Sequence, residues 1–440
     1  MSLNIKKILV LSFVILITSL NAEAGVKIQK WQTMAGTDVY FVENHDLPIL
    51  DLSVNFSAGS VRDTAEMSGV ASVTRYLMTL GAAGMSDEVI ANKMADIGAI
   101  FGGEFNADRA SFKLRTLSSA REQAQALDVF VKVLQKPDFP QTVLDREKAR
   151  IISGLQESAT QPESISSKAF MSALYGKHPY SLDESGEVET IAKIKREDLQ
   201  NFYAKHYGAK GAVIAMIGDL TREQAIQIAE NISSDLPKTN APETLAGVTL
   251  PTQSIEKRIP HPASQSHILL GYPGIKRDDP DLFPLYVGNY ILGGGGFVSR
   301  LTEEVREKRG LVYSVYSYFM PMAELGPFQI GLQTKKEQAD VALKLVRETL
   351  DNFLKEGVTE QELTAAKANI IGGFPMRIDS NGKILDYLAM IGFYNLPINY
   401  LDEYNHNVDK VTVAQIKEAF NRRLKPNNFV TIMVGDPNAN

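Results

Sequence analysis

The 440-residue chain has no cysteine, one tryptophan and six histidines. Without cysteine there is no disulfide framework, no thiolate metal site and no lipid attached through sulfur. The histidines stand at 45, 178, 206, 261, 267 and 406, so no two are four apart and no helical turn can offer a His pair to a metal. Charge of one sign is not concentrated in any long run. The net charge is −6, which supplies no general basic face for nucleic acid. With 44% hydrophobic and 22% charged residues, the chain can bury substantial cores and is not disordered.

Long apolar runs are also scarce. The one at the start, in MSLNIKKILVLSFVILITSLNAEA, follows Lys6 and Lys7 and covers residues 8–20, ahead of Ala22-Glu23-Ala24. It is shorter than the roughly 20 residues a spanning helix needs. Basic start, apolar middle and small-residue site together read as a secretory signal, residues 1–24, cleaved after Ala24. The expectation is a periplasmic mature chain beginning at Gly25, with no membrane segment left after cleavage.

What the chain does contain is a duplication. IAKIKREDLQNFYAKHYGAKGAVIAMIGD, from Ile191, matches VDKVTVAQIKEAFNRRLKPNNFVTIMVGD, from Val408. Lys193 falls on Lys410, Val213 on Val430, and Gly218-Asp219 on Gly435-Asp436. Upstream, FKLRTLSSAREQAQALDVFVKVL, from Phe112, echoes FQIGLQTKKEQADVALKLVRETL, from Phe328. Such units are too long for solenoid repeats. Between them residues 237–253, PKTNAPETLAGVTLPTQ, lack a sustained apolar period and read as a linker. The expected domains are 25–236 and 254–440. Each is α+β, an antiparallel or mixed sheet with helices packed on one face.

The segment SGVASVTRYLMTLG, residues 68–81, carries Val70, Val73, Leu77 and Leu80 at helical spacing. Ser72, Arg75 and Tyr76 share a neighbouring face at i, i+3 and i+4. His, Glu and His at those positions would be the H-x-x-E-H of an inverted zincin, two ligands and a general base.

At this point the chain resembles the M16, pitrilysin-like, metallopeptidases of the short bacterial two-domain type. The resemblance runs through FSAGSVRD, the GVA of the helix, REKARII, YGKHPYS, FYAKHYGAKGAVIAMIGD and YILGGGGFVSRLTEEVREKRGLVYSVYSYF. It implies two homologous mixed-sheet domains. Aligned on Gly69-Val70-Ala71, the zinc histidines fall on Ser72 and Tyr76 and the catalytic glutamate on Arg75. A third ligand, a glutamate on a later helix, falls near Gly154. All four positions are changed. Serine and neutral tyrosine are poor zinc ligands, and Arg75 puts a fixed positive charge where the cation would sit. No zinc or other cofactor is expected in this chain.

The other half keeps its pattern. In VREKRGLVY, Arg306 and Tyr313 are spaced by two helical turns or a helix and a turn. The resemblance implies that this pair grips a peptide backbone and steadies the oxyanion at the zinc of a facing half. An arginine offers charge-assisted donors and a phenol can donate to developing charge. On spacing alone, Arg306 could instead pair with Glu303 or Glu307 on a solvated face and Tyr313 could be core. The run Gly293, Gly294, Gly295 and Gly296 before Phe297 is by itself most often a flexible turn. In the family it is a loop held to contact substrate. It lacks the Lys-Ser/Thr ending of a phosphate loop, and Gly102-Gly103-Glu104-Phe105 fits a hairpin rather than a nucleotide enzyme.

The resemblance thus implies the non-catalytic subunit of a heterodimeric zinc peptidase, whose partner is an M16 homologue with intact H-x-x-E-H and whose substrates are peptides. The competing readings are a peptide-binding or scaffolding protein without peptidase role, and a stand-alone peptidase with an unorthodox site.

Overall fold

The computed structural model describes residues 26–435. The signal segment with its cleavage site, and Asp436 of the second Gly-Asp match, lie outside the described residues. The first sheet contains β1 (Gln29–Gln32), β2 (Asp38–Glu43) and β3 (Ile49–Phe56). A small hairpin of β4 (Gly81–Ala82) and β5 (Met85–Ser86) stands apart. The first sheet is completed by β6 (Ile100–Gly102), β7 (Ala110–Leu117) and β8 (Val213–Gly218). The second is built from β9 (Ile255–Ile259), β10 (Gln265–Pro273), β11 (Val312–Phe319), β12 (Pro327–Lys335) and β13 (Val430–Val434).

The strand orders are β1-β2-β8-β3-β7-β6 and β11-β12-β10-β13-β9. Read from the other edge, the second order repeats the first, with β1 the one strand lacking a counterpart. The parallel pairings repeat as well: β2 lies parallel to β8, and β9 to β13, in otherwise antiparallel sheets. Even the helix starts agree. The backbone N–H of Lys195 is capped by the Asp198 carboxylate, and that of Thr412 by the Gln415 side chain. The α+β duplication is therefore present in topology as well as in sequence.

The sheets are more thoroughly covered than one-sided packing would give. On one face of the first sheet, Phe41, Leu52, Val54, Phe112 and Met216 meet that half's own helices. On the other face, helix Asn381–Phe393 of the second half lies across β2, β3 and β8. The exchange is mutual, because helix Pro162–Tyr175 of the first half lies across β10 and β13. Both contacts depend on glycine. A Cβ on Gly392 would lie 2.5 Å from Val213, and one on Gly271 would lie 2.9 Å from the Phe170 ring. The two-sided burial explains β8, whose VIAMIG is apolar at every position up to its closing glycine and fully buried.

Asp108 stands where the halves meet and is 3% exposed. Its Oδ1 accepts from the Tyr180 hydroxyl at 2.5 Å. Its Oδ2 accepts from the Tyr394 hydroxyl and the Ala323 N–H, each at 2.8 Å. The Tyr180 hydroxyl in turn accepts from the Glu324 N–H at 3.1 Å. Residues 237–253 contain no helix or strand yet are laid against the molecule: Glu243 O accepts from Arg62 Nη1, and Ala246 O pairs with His178 Nε2. Asp108→Ala would strand two phenols and one amide. At about 1–3 kcal/mol for each unsatisfied buried group, unfolding in urea should show a loss of at least about 3 kcal/mol. A loss below about 1 kcal/mol would mean that apolar contacts alone hold the junction.

Candidate functional site

The helix Val70–Met78 is set in place at its first turn. The Asp63 carboxylate accepts from the N–H groups of Gly69, at 2.7 Å, and Ala71, at 3.0 Å. Burial pushes that carboxyl up to about 7 against the pull of the two amides. Gly69 has φ +92°, and a Cβ there would strike Ile191 at 2.6 Å. Val70, Val73 and Leu77 enter the core as their spacing requires, whereas the helix ends before Leu80, which is only half-buried.

Every candidate metal position on this helix is otherwise engaged. Ser72 Oγ donates to Gly69 O within its own turn, at 3.0 Å. Arg75 donates to Ser111 O through Nε and Nη2, at 3.3 and 3.1 Å, and its guanidinium lies 5.0 Å from the Phe112 ring centre. Gly103 makes room for it, since a Cβ there would approach Arg75 Nη2 to 2.5 Å. Tyr76 donates to Glu147 Oε2 at 3.2 Å.

Glu147, in helix Gln141–Ser158, is the residue sequence reasoning missed. It is 1% exposed and also meets Arg146 at 2.6 Å and Arg150 at 3.2 Å. Burial pushes its carboxyl up, but the Arg146 and Tyr76 hydrogen bonds and the two guanidinium charges outweigh that and hold it below the usual range. Gly154 lies two turns further along the same helix, exposed, with open space where a side chain would project. The seven-residue offset from Gly154 back to Glu147 in REKARIISG was the available signal. A zinc ion does not fit here. The nearest carboxylate is already satisfied by two arginines and a phenol, and Arg75 brings a half-buried positive charge. Among the described residues no group of three or more His, Cys, Asp or Glu could hold a metal.

The second half is arranged differently. Helix Leu282–Asn289 passes into a π turn, Tyr290–Gly294, closed by Gly295 N–H to Tyr290 O at 2.8 Å. A second π turn, Thr302–Glu307, is closed by Lys308 N–H to Glu303 O at 2.9 Å. Such turns are rare and often sit at functional sites. The glycine run is mostly a matter of close approach rather than free flexibility. A Cβ would lie 2.4 Å from Ser317 Oγ at Gly293, 2.7 Å from Asn289 Nδ2 at Gly294 and 2.6 Å from Tyr290 O at Gly295. Gly296 alone has open space, with φ +62°.

Arg306 and Tyr313 come together. The Arg306 guanidinium lies 4.9 Å from the Phe297 ring centre and 5.7 Å from that of Tyr313, with Glu307 a loose 3.6 Å away. Tyr313 is not core but 81% exposed. It is the extra residue of a bulge in β11, between Val312, opposite Thr334, and Ser314, opposite Gln333. A bulge re-aims its side chain. Beside the pair opens a cavity of about 760 Å³ whose wall includes Gly293, Gly294, Gly296, Phe297 and Arg306. Gly295 and Tyr313 are not in that wall. The rest is rich in tyrosine: Tyr286 and Tyr290 from the helix, and Tyr316 and Tyr318, stacked at 5.9 Å, from β11. Tyr387, Tyr400 and Tyr404 come from the two helices that follow Arg377. Burial holds the Tyr318 and Tyr400 phenols up at about 12, so both stay protonated donors.

A two-sheet duplicated scaffold with an altered metal helix defines an inactive metallohydrolase relative. The comparisons make that specific. Residues 39–185 match the model described as insulinase, peptidase family M16, and residues 193–370 match the peptidase M16 inactive domain. The crystal structure of a peptidase M16 inactive domain from Pseudomonas fluorescens is 40% identical, with a TM-score of 0.90 over 94% of this chain and 99% of that one. A non-peptidase homologue, YmxG, of Helicobacter pylori is 27% identical over 91% of this chain and 92% of its own length. The periplasmic protease PqqL of Escherichia coli shares the fold alone, at 13% identity and a TM-score of 0.77, over 93% of this chain and 45% of PqqL. The chain belongs to the M16 peptidase family, as an inactive member.

Purified protein, dialysed against buffer without chelator, should retain far less than one zinc per chain in elemental analysis. A stoichiometric, tightly held zinc would overturn the account of Ser72, Arg75, Tyr76 and Gly154.

Proposed function

We propose that this chain is the non-catalytic subunit of a periplasmic two-chain metallopeptidase. In this reading it lends Arg306 and Tyr313 to the zinc site of an M16 partner with intact H-x-x-E-H. The observation that carries the proposal is the contrast between the two halves. The metal positions on the first half's helix Val70–Met78 are engaged in internal bonds and Gly154 offers no ligand, while the second half holds a half-buried arginine between two aromatic rings beside a peptide-sized cavity. Phe297, Val298 and Tyr313, at 72, 74 and 81% exposure, place apolar area next to the pair, as a surface waiting for a second chain would. The periplasmic location follows from the signal-like residues 1–24, and peptides as substrates follow from the family. A peptide-binding or scaffolding role without any peptidase partner is the second reading, favoured by the non-peptidase name of the Helicobacter relative.

The chain alone should not cleave unfolded peptides, and mixing with its H-x-x-E-H partner should produce activity. Chelator-sensitive cleavage by the isolated chain would end the subunit assignment. Within the mixed complex, Arg306→Ala and Tyr313→Phe should each lower turnover per assembled complex. The loss of one oxyanion-type donor costs roughly 2.7–4 kcal/mol, about 100- to 1000-fold. Gel filtration should show assembly unchanged. If both variants assemble and cleave as wild type does, the pair is structural and the scaffolding role is the better account.

A further inference from the structure

In a chain whose net charge is −6, the cavity beside the glycine run has a wall of the opposite sign. Arg277, Arg306 and Arg377 line it, and no Asp, Glu, Lys or His does. These arginines are not consumed by neighbouring carboxylates. Arg306 has only the loose contact with Glu307, which is itself half-exposed. Arg277 and Arg377 form no ion pair among the described residues. Arg377 is exposed and faces phenols, those of Tyr286, Tyr387 and Tyr404. Arg277 is stacked 5.1 Å from the Tyr394 ring centre, and its Nε is buried with no hydrogen-bond partner. A buried donor left unmatched is costly, and an arginine near carboxylates would ordinarily take one.

The remaining wall suits a particular kind of anion. Tyrosine faces and Phe283, Phe297 and Phe319 offer broad apolar surface, while the half-buried Tyr318 and Tyr400 phenols stay protonated and can donate to an acceptor. A small inorganic anion would leave this volume unfilled. A basic peptide would meet three positive charges with no carboxylate in the wall to offset them.

We propose that this cavity binds a peptide segment carrying carboxylates together with aromatic or apolar side chains, the three arginines serving as its anion partners. The proposal rests on the reading that the second half binds peptides, and it adds the charge class. The carboxylates can be side chains or a chain terminus, and the chemistry that recognises them is the same.

The test uses the full mature chain alone and short peptides of alternating Glu and Phe with an uncharged fluorophore, followed by anisotropy. Gln/Phe and Lys/Phe counterparts serve as comparison. Because a hydrogen bond to a charged group is worth about 1.5–3 kcal/mol, the Glu peptide should bind at least about tenfold more tightly than the Gln peptide. Its affinity should fall steeply between about 0.02 and 0.5 M salt. The Lys peptide should be the weakest of the three. Arg377→Gln, at an exposed site and with melting temperature recorded, should weaken the Glu peptide and leave the Gln peptide unchanged. Arg277→Gln should do the same, with melting temperature recorded beside it. Amidating the C-terminus separates the sources. Retained affinity assigns side-chain carboxylates, and lost affinity assigns the terminus. Equal binding of the Glu and Gln peptides that amidation does not weaken, or a Glu preference untouched by Arg377→Gln, would overturn the proposal. Failure of the partner assay with a Glu preference intact would count against the subunit reading alone. A working partner assay without a Glu preference would count against the charge class alone.

Discussion

The carboxylate of Asp108 is the point on which both halves turn. It belongs to the first half, yet two of its three hydrogen bonds reach Tyr394 and Ala323 of the second. Removing such a group from water is worthwhile only when its lone pairs are met, and here they are met from both sides of the junction. The third donor, Tyr180, relays the contact onward to the Glu324 amide. Tyr175 adds its own hydroxyl to Leu325 O nearby. The loop before β12 and the last turn of helix Asn381–Phe393 are therefore fixed relative to the first sheet. That helix supplies Tyr387 and Met390 to the cavity wall, so the geometry of the site inherits this constraint.

Much of the architecture could be read from residues. The strands that run up to Gly218 and Gly435, and those that carry Phe112 and Phe328, occupy equivalent places in the two sheets. The covering of both sheet faces was harder to see. In β3 the alternation Leu50-Asp51-Leu52-Ser53-Val54-Asn55 looks like a strand with one face in water. Yet Asp51, Ser53 and Asn55 are buried, at 3, 0 and 1%. Arg115 pairs with Asp51, Asn55 bonds Ser53, and the second-half helix lies above. A polar face satisfied internally is indistinguishable, in one sequence, from a solvated one. The apolar continuity of β8 was the better guide.

The site divides in the same way. Substituting Ser72, Arg75 and Tyr76 into a metal motif is legible because each change alters chemistry outright. Glu147 was marked only by its two-turn offset from Gly154, a weak signal on a charged helix until Tyr76 is brought opposite it. Arg306 and Tyr313 could be nominated by pattern, but their contact needed a π turn and a bulge. Both are irregularities of backbone that leave periodicity unmarked. The sign of the cavity wall is likewise invisible along the chain, since Arg277, Arg306 and Arg377 come from separate segments and are brought into one wall only by folding.

The mutual loan of helices has a consequence for how such a chain could arise. Neither half is complete by itself: each sheet would expose an apolar face if the other half were cut away. A single-length forerunner would have faced that difficulty with only copies of itself available. Two copies lending each other a helix about a two-fold axis would have solved it, since in such a pair whatever one copy gives it also receives. The present chain has the architecture of such a pair joined end to end. Once joined, the halves were free to diverge, and only one of them needed to keep any given task.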